Sequence, residues 1–201
     1  MGKEQLSSFY DDIYDNIKGH YHKSPKNTPW YNLWQPVANI ISMNGIENVF
    51  DLGCGPGHFA EVVNNTEKLF LTSNVKQFYG YDFSPSAINM IKNKNFSEKY
   101  MFEERDLRDY NFLEHYSKDK KEKTIFTIFE FLEHVWWDLN LLKRIPSGAM
   151  VALSVPNVGG PQHVRHFLTT DEIRVRYGDY IIFDSLSKVT AHHFLGIGIK
   201  K

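Results

Sequence analysis

Four side chains past the middle of this 201-residue chain have the types and spacing to hold a divalent cation or to move a proton. Glu130, Glu133 and His134 stand three and four residues apart, which sets them on one face of a helix beginning near Glu130. A second imidazole, His163, follows the apolar run Ala149-Met150-Val151-Ala152-Leu153-Ser154-Val155, and His166 lies three residues further on. Two carboxylates with two imidazoles form a mixed oxygen and nitrogen ligand set, better suited to Mn²⁺, Fe²⁺ or Co²⁺ than to Mg²⁺. Without a cation, His134 or His163 would be the general base, because imidazole titrates near working pH. A plainer reading stands beside these: a glutamate in a first helical turn favours the helix dipole, and His134 caps or positions.

A second chemistry-bearing stretch lies upstream, Val49-Phe50-Asp51-Leu52-Gly53-Cys54-Gly55-Pro56-Gly57-His58. It reads as a buried strand that ends in a loop and opens a helix. Glycines at 53, 55 and 57 let the backbone turn sharply and approach a ligand, and the amides opening the helix face that ligand. His58 stands where a dinucleotide-binding loop would have its third glycine, so the pattern is G-x-G-x-G. The next strand, Phe78-Tyr79-Gly80-Tyr81, ends at Asp82 and Phe83, where a carboxylate can accept both hydroxyls of a ribose. Ser84 is then a good N-cap and Pro85 a good first helical residue. A third edge, Glu104-Arg105-Asp106-Leu107, is a place where an adenine amino group could be held.

The elements that must position these residues alternate. Strands are expected near 48–52, 78–82, 100–103, 124–129 and 149–155, with helices near 58–68 and 85–93. The tail differs, because Tyr180–Phe183 and His193–Ile199 are joined by too few residues for a clear crossover helix. The expected fold is α/β: a Rossmann-like, doubly wound, mostly parallel seven-stranded sheet with an antiparallel last strand. Ligands in such sheets sit at the carboxyl ends of the strands, where residues 51–58, 82–84, 106 and 130–137 all fall. Residues 1–45 read as a helical cap on a core of 46–201, all within one domain. The first helix is expected over Glu4–Ile17; Thr28 and Pro29 cap a second whose stripe is Leu33, Val37, Ile40 and Ile41. Between them, residues 19–31 lack apolar periodicity and are expected to form a lid over this edge, with Tyr21 and His22 facing whatever binds there. Trp30 and Trp34 read equally well as helix packing.

The glycine loop, Asp82 and Asp106, in this order and spacing, resemble the class I S-adenosylmethionine-dependent methyltransferases over roughly 48–201. The resemblance implies that Asp51, Gly53, Gly55 and Gly57 hold the methionine part of the cofactor. It implies that Asp82 and Phe83 meet the ribose, that Asp106 and Leu107 surround the adenine, and that Glu130 completes the wall. Glu130-x-x-Glu133-His134 is similar to the ubiquinone-biosynthesis branch. The small-RNA 3′-terminal ribose 2′-O-methyltransferases add a downstream histidine, matched by His163 and second by His166. That likeness implies a metal set of Glu130, Glu133, His134 and His163. The compact chain also resembles methyltransferases of bacterial surface-polysaccharide clusters, which implies a sugar, sugar nucleotide or phosphorylated precursor as acceptor. Trp137 and His166 are then expected acceptor contacts, and methyl transfer to an oxygen the expected reaction.

Composition narrows the partners. A net charge of -1 argues against a broad phosphate-binding face, so nucleic acid is not expected. Neither the Asn/Asp-Pro-Pro-aromatic motif of amino-methylating DNA enzymes nor the Pro-Cys nucleophile of C5-pyrimidine enzymes occurs. The single cysteine, Cys54, has no internal disulfide partner. With no charged-then-apolar leader and no apolar stretch long enough to span a bilayer, a cytoplasmic monomer or homodimer without membrane contact is expected. Two rival readings are an RNA-terminal ribose methyltransferase and a non-catalytic fold serving as a binding partner.

Overall fold

A computed structural model describes residues 2–72, 74–109 and 111–201. Strand β1 (Asn48–Leu52) is paired in parallel with β2 (Gln77–Asp82) and β4 (Thr124–Phe129). Beyond β2 lies β3 (Tyr100–Glu104), and beyond β4 lies β5 (Met150–Pro156), both parallel. The last two strands close the sheet: β7 (His193–Lys200) inserts antiparallel between β5 and β6 (Ile181–Lys188), giving the order β3-β2-β1-β4-β5-β7-β6. The expected seven-stranded sheet is therefore what forms. Strand β4, Thr-Ile-Phe-Thr-Ile-Phe, is buried at every position, as a central strand covered on both faces must be.

Each face has its own core. On one, Phe50 stacks between Tyr79 and Phe126, with ring centroids 4.9 Å from each. On the other, Val49, Phe78 and Ile125 of the sheet pack with helix α2 (Tyr31–Met43) and with Phe59 of helix α3 (His58–Phe70). Burying one such aliphatic or aromatic side chain contributes roughly 1.5–3 kcal/mol, so the two layers fix the strand register. That register matters to the site: Leu52 pairs with Tyr81, Asp82 with Glu104 and Phe129 with Ser154, which aligns the carboxyl ends of the parallel strands along one edge.

Several elements differ from their expected bounds. Helix α1 covers Ser7–Asp15, shorter than 4–17, because the segment before it runs extended along the loop after β5. There Gly2 N–H donates to His163 O and Lys3 N–H to Pro161 O. No helix starts at Glu130. That residue takes φ +50, a single 3₁₀ turn covers Leu132–His134, and α5 begins only at Asp138 and ends at Arg144. The reason lies in the left-handed backbone at Glu130 and in competing partners, since Glu133 O accepts from Val164 N–H. Arg165 Nη1 donates to Leu132 O and Val135 O, so these carbonyls are lost to any helical ladder. Helix α4 (Pro85–Lys92) starts as expected, with Ser84 Oγ accepting from Ala87 N–H. Helix α6 (Thr170–Tyr177) has only Ile173 and Tyr177 buried, four apart, too faint a stripe to read. Strand β6 runs five residues beyond the expected Phe183 and carries a bulge between Phe183 and Ser185. Among the described residues no helix is long and apolar enough to cross a membrane.

Candidate functional site

Two adjoining chambers open at the carboxyl edge of the sheet. The larger, a cleft of about 720 Å³, lies between α1 and the ends of β2, β3 and β4. The smaller, about 490 Å³, lies under the glycine loop and is walled by Trp30, Trp34, His58, Phe59 and Phe129. Tyr14, Tyr21, Gly53 and Glu130 line both, so they mark the junction.

The glycine loop has the conformation its composition permits. Gly53, Gly55 and Gly57 sit at φ +82, +50 and +75, a region L side chains rarely adopt. A Cβ on Gly53 would stand 2.4 Å from the Phe131 ring. Asp82 is buried beside the loop, its Oδ2 accepting Gly55 N–H and its Oδ1 accepting Ser84 N–H, both at 2.9 Å. Each oxygen keeps a second lone pair, and Asp82 lines the large cleft with Phe83. Burial raises its pKa to about 6. Asp51 is equally buried, accepts the Thr127 hydroxyl at 2.7 Å, and is pushed up to about 7 by that burial. Arg105, Asp106 and Leu107 line the far end of the cleft. Asp106 is engaged by Arg108 through both oxygens, which holds its pKa down. These side chains leave a cradle that suits an adenosine with an amino-acid tail.

Across the cleft, Glu133, His134 and His163 offer ligand atoms all within 4.8 Å of one another. Glu133 is 0% exposed, neither of its oxygens has a hydrogen-bond partner, and burial pushes its pKa well up. His134 Nδ1–H donates to Gln162 O at 3.1 Å, which leaves Nε2 as a lone pair 3.6 Å from Glu133 Oε1. His163 Nδ1–H likewise donates to Val158 O at 3.0 Å, and its Nε2 lies 3.4 Å from the Gln162 amide nitrogen. Backbone carbonyls thus fix both tautomers with the lone pair on Nε2, the arrangement usual behind metal-bound histidines, and a cation would displace the Gln162 amide from His163. Desolvation lowers His134 to about 4, so it is neutral at pH 7 as a ligand must be. A divalent cation fits this donor set. Glu130 does not join it. With no helix to carry it onto the face of Glu133 and His134, its carboxylate turns instead to Ser154 and His193.

The cap differs from its expected form. Tyr21 roofs the junction, stacked on Trp30 at 5.1 Å and meeting Tyr14 edge-on at 4.7 Å. His22 does not reach the cleft: it is exposed, and its Nε2–H donates to Tyr14 O. Most of the roof is α1, whose Tyr10 packs against Phe83 and His134 with a buried hydroxyl that has no partner. Asp11 latches it by accepting from Ser84 Oγ and Ser86 N–H. Glu4 accepts from Trp136 N–H and Trp137 Nε1–H, which places the Trp137 ring on the cleft wall. His166 is exposed, set against Gly159, and lines neither chamber. Trp30 and Trp34 both pack and line the small chamber. Sequence reasoning missed Tyr10, Tyr14, His58 and His193. Only the aromatic content of α1, Phe9-Tyr10 and Tyr14 on one short helix, was there to be noticed.

No family model and no curated relative matches the chain. Solved structures do. The N-methyltransferase NodS from Bradyrhizobium japonicum WM9, in complex with S-adenosyl-L-homocysteine, superposes with a TM-score of 0.67 at 12% identity, over 96% of this chain and 97% of that one. An S-adenosylmethionine-dependent methyltransferase from Aquifex aeolicus gives 0.63 at 13% identity, over 97% and 98%. The plantazolicin methyltransferase BpumL, also with S-adenosylhomocysteine, gives 0.60 at 14%, over 96% and 90%. The chain is similar to all three across its length, and its fold is that of S-adenosylmethionine-dependent methyltransferases.

Proposed function

We propose that the protein transfers a methyl group from S-adenosylmethionine to an oxygen of a small polar acceptor, with a divalent cation at Glu133, His134 and His163. The adenosine lies in the large cleft with Asp82 and Phe83 at the ribose and Leu107 near the base. The methionine end reaches the small chamber beneath Gly53–Gly57. A sulfonium is already an activated leaving group, so the protein's part is to orient the acceptor, exclude water and handle one proton. Tyr10, Tyr21 and Trp137 shape the acceptor space and, with α1, keep water out of it. When bound, the cation supplies Lewis-acid polarisation of an oxygen at the cleft wall. The single observation behind the cation and the oxygen acceptor is the Glu133 carboxyl group, fully buried with both oxygens unpartnered and with ligand atoms of His134 and His163 within 4.8 Å. Such a group costs stability as it stands and is explained by a ligand that the fold awaits.

Sugars, sugar nucleotides and phosphorylated sugars are the acceptor class we favour, since the acceptor side of the cleft combines the aromatic walls of Tyr10 and Trp137 with the carboxylate of Glu4 and the chain lacks the net positive charge of an RNA enzyme. The test is transfer of labelled methyl to a panel of these compounds, with and without Mn²⁺, Fe²⁺, Co²⁺ or Mg²⁺. Transfer that is lost on chelation and returns with one cation supports the reading; full activity after exhaustive chelation refutes the metal. Calorimetry with S-adenosylhomocysteine on Asp82→Ala checks the ribose assignment. Loss of a charge-assisted acceptor pair weakens binding by about 2–4 kcal/mol, and unchanged affinity in a folded variant refutes it.

A further inference from the structure

Glu130, at the junction of the two chambers, is a carboxylate that neither the glycine loop nor the metal cluster uses. It ends β4 at φ +50, a left-handed backbone that an L residue keeps only where its surroundings over-determine it. Ser154 does so: its Oγ accepts Glu130 N–H at 3.1 Å and donates to Glu130 Oε1 at 2.8 Å, closing a ring around the residue. The other oxygen, Oε2, lies 3.3 Å from His193 Nε2. Behind the imidazole, Thr190 Oγ accepts His192 N–H at 3.1 Å and lies 2.7 Å from His193 Nδ1. A carboxylate only accepts, so the tautomer that suits this pair carries its proton on Nε2 and takes the Thr190 hydroxyl hydrogen on Nδ1. The pairing of Pro156 with His193, where β7 runs antiparallel to β5, brings this histidine to the site edge.

We propose that Glu130 is the general base for the acceptor hydroxyl, a catalytic residue, and that His193 is its positioning residue, itself oriented by Thr190. The inference rests on the oxygen-methylation reading above. Under that reading His134, His163 and Glu133 spend their lone pairs on the cation, and none is left to take a proton. Glu130 is the remaining carboxylate facing both chambers, where a sulfonium tail from one meets an acceptor from the other. In the step, the acceptor O–H bond breaks and its proton bonds to a Glu130 oxygen. The freed oxygen pair forms the new O–CH₃ bond while the C–S pair leaves on sulfur, which becomes a neutral thioether. The proton passes to solvent once the product leaves.

The test uses the acceptor found by the methyl-transfer panel, calorimetry with S-adenosylhomocysteine, and nitrogen-15 NMR of the His193 ring. Glu130→Gln is expected to lower kcat by roughly 10²–10³-fold, with KM and S-adenosylhomocysteine affinity each within about threefold. Glu130→Asp should recover part of the rate, and His193→Gln should cost about tenfold in kcat. NMR should find the Nε2–H tautomer in the wild type and its loss in Thr190→Val. A tenfold or greater drop in S-adenosylhomocysteine affinity in Glu130→Gln would make Glu130 a cofactor ligand and overturn the base role. An unchanged kcat, or an Nδ1–H tautomer in the wild type, overturns it too. A panel that yields no oxygen acceptor, with tautomer and affinity as expected, overturns the oxygen reading and the base with it.

Discussion

The two walls of the cleft are finished to different degrees. On the glycine-loop wall both buried acids already have partners within the fold: Asp82 takes two backbone N–H groups, and Asp51 takes the Thr127 hydroxyl. On the opposite wall Glu133 has none, and the Tyr10 hydroxyl above it has none either. A buried polar group left unsatisfied costs about 1–3 kcal/mol. The acids of the first wall are thus satisfied without a ligand, though His58 Nδ1 beside them has no partner, while the carboxyl group of the second is held unsatisfied by its packing. The difference teaches where this chain's individuality lies. On the reading proposed above, the cofactor wall follows from the fold, and the wall of residues 130–134 with His163 is where the acceptor is set.

The strongest way to break the comparison is to damage the finished wall. Gly53→Val forces a Cβ-branched residue to φ +82 and into the Phe131 ring, so S-adenosylhomocysteine binding should fall below detection while the sheet still folds. Calorimetry checks the first point and far-UV circular dichroism the second; normal affinity would remove the loop from the cofactor site. Next in size is a pH effect on the same wall. The folded pKa of Asp51, about 7, lies above its ordinary value near 4. Its contribution to stability is therefore fully present below about pH 4 and is lost as pH rises through 7, a change on the order of 4 kcal/mol for the ligand-free protein. Asp51→Asn should flatten the urea midpoint between pH 4 and 7 relative to the wild type. Parallel profiles would mean that Asp51 ionises freely.

How much of this was legible beforehand divides along the same line. The glycine spacing, the strand ending at Asp82 and the Ser84-Pro85 helix start are local signals, and local chemistry decides them. The turn at Glu130 is not local. A spacing of three and four in sequence is compatible with a helix, but Val164 and Arg165 claim the carbonyls that a helix needs, and they arrive from the loop after β5. His193 was invisible for the same reason, since it reaches Glu130 only through the antiparallel insertion of β7 beside β5. The part of Tyr10 and Tyr14 in the roof was not legible, because a short helix facing a cleft has the same pattern as one facing a core.

On the unfinished wall the expected effect is smaller and opposite in sign. Glu133→Leu removes the unpartnered carboxyl group from a fully buried site, so the metal-free protein should gain about 1–3 kcal/mol. At roughly 2–4 °C per kcal/mol for a domain of this size, differential scanning calorimetry should register a rise of several degrees. Equilibrium dialysis should find metal binding lost in the same variant. A residue kept for packing would behave the other way, with a lower Tm and no change in metal uptake.

The smallest contrast separates neighbours in the cap. Tyr21 and His22 follow one another in a single 3₁₀ turn, yet Tyr21 stacks over the junction while His22 is exposed and bonded to Tyr14 O. Truncating Tyr21 opens the roof beside Glu130 and Gly53, so Tyr21→Ala should lower turnover about tenfold or more and cost on the order of 3 kcal/mol in stability. His22→Ala gives up one hydrogen bond to a backbone carbonyl that is not in the cleft, worth roughly 0.5–1.5 kcal/mol, and turnover should stay within twofold. Thermal melts and initial rates on the two variants read both quantities. Equal losses of turnover would mean that the 3₁₀ turn closes over the acceptor as a unit, and the cleft roof would then extend past Tyr21 to the exposed side of the cap.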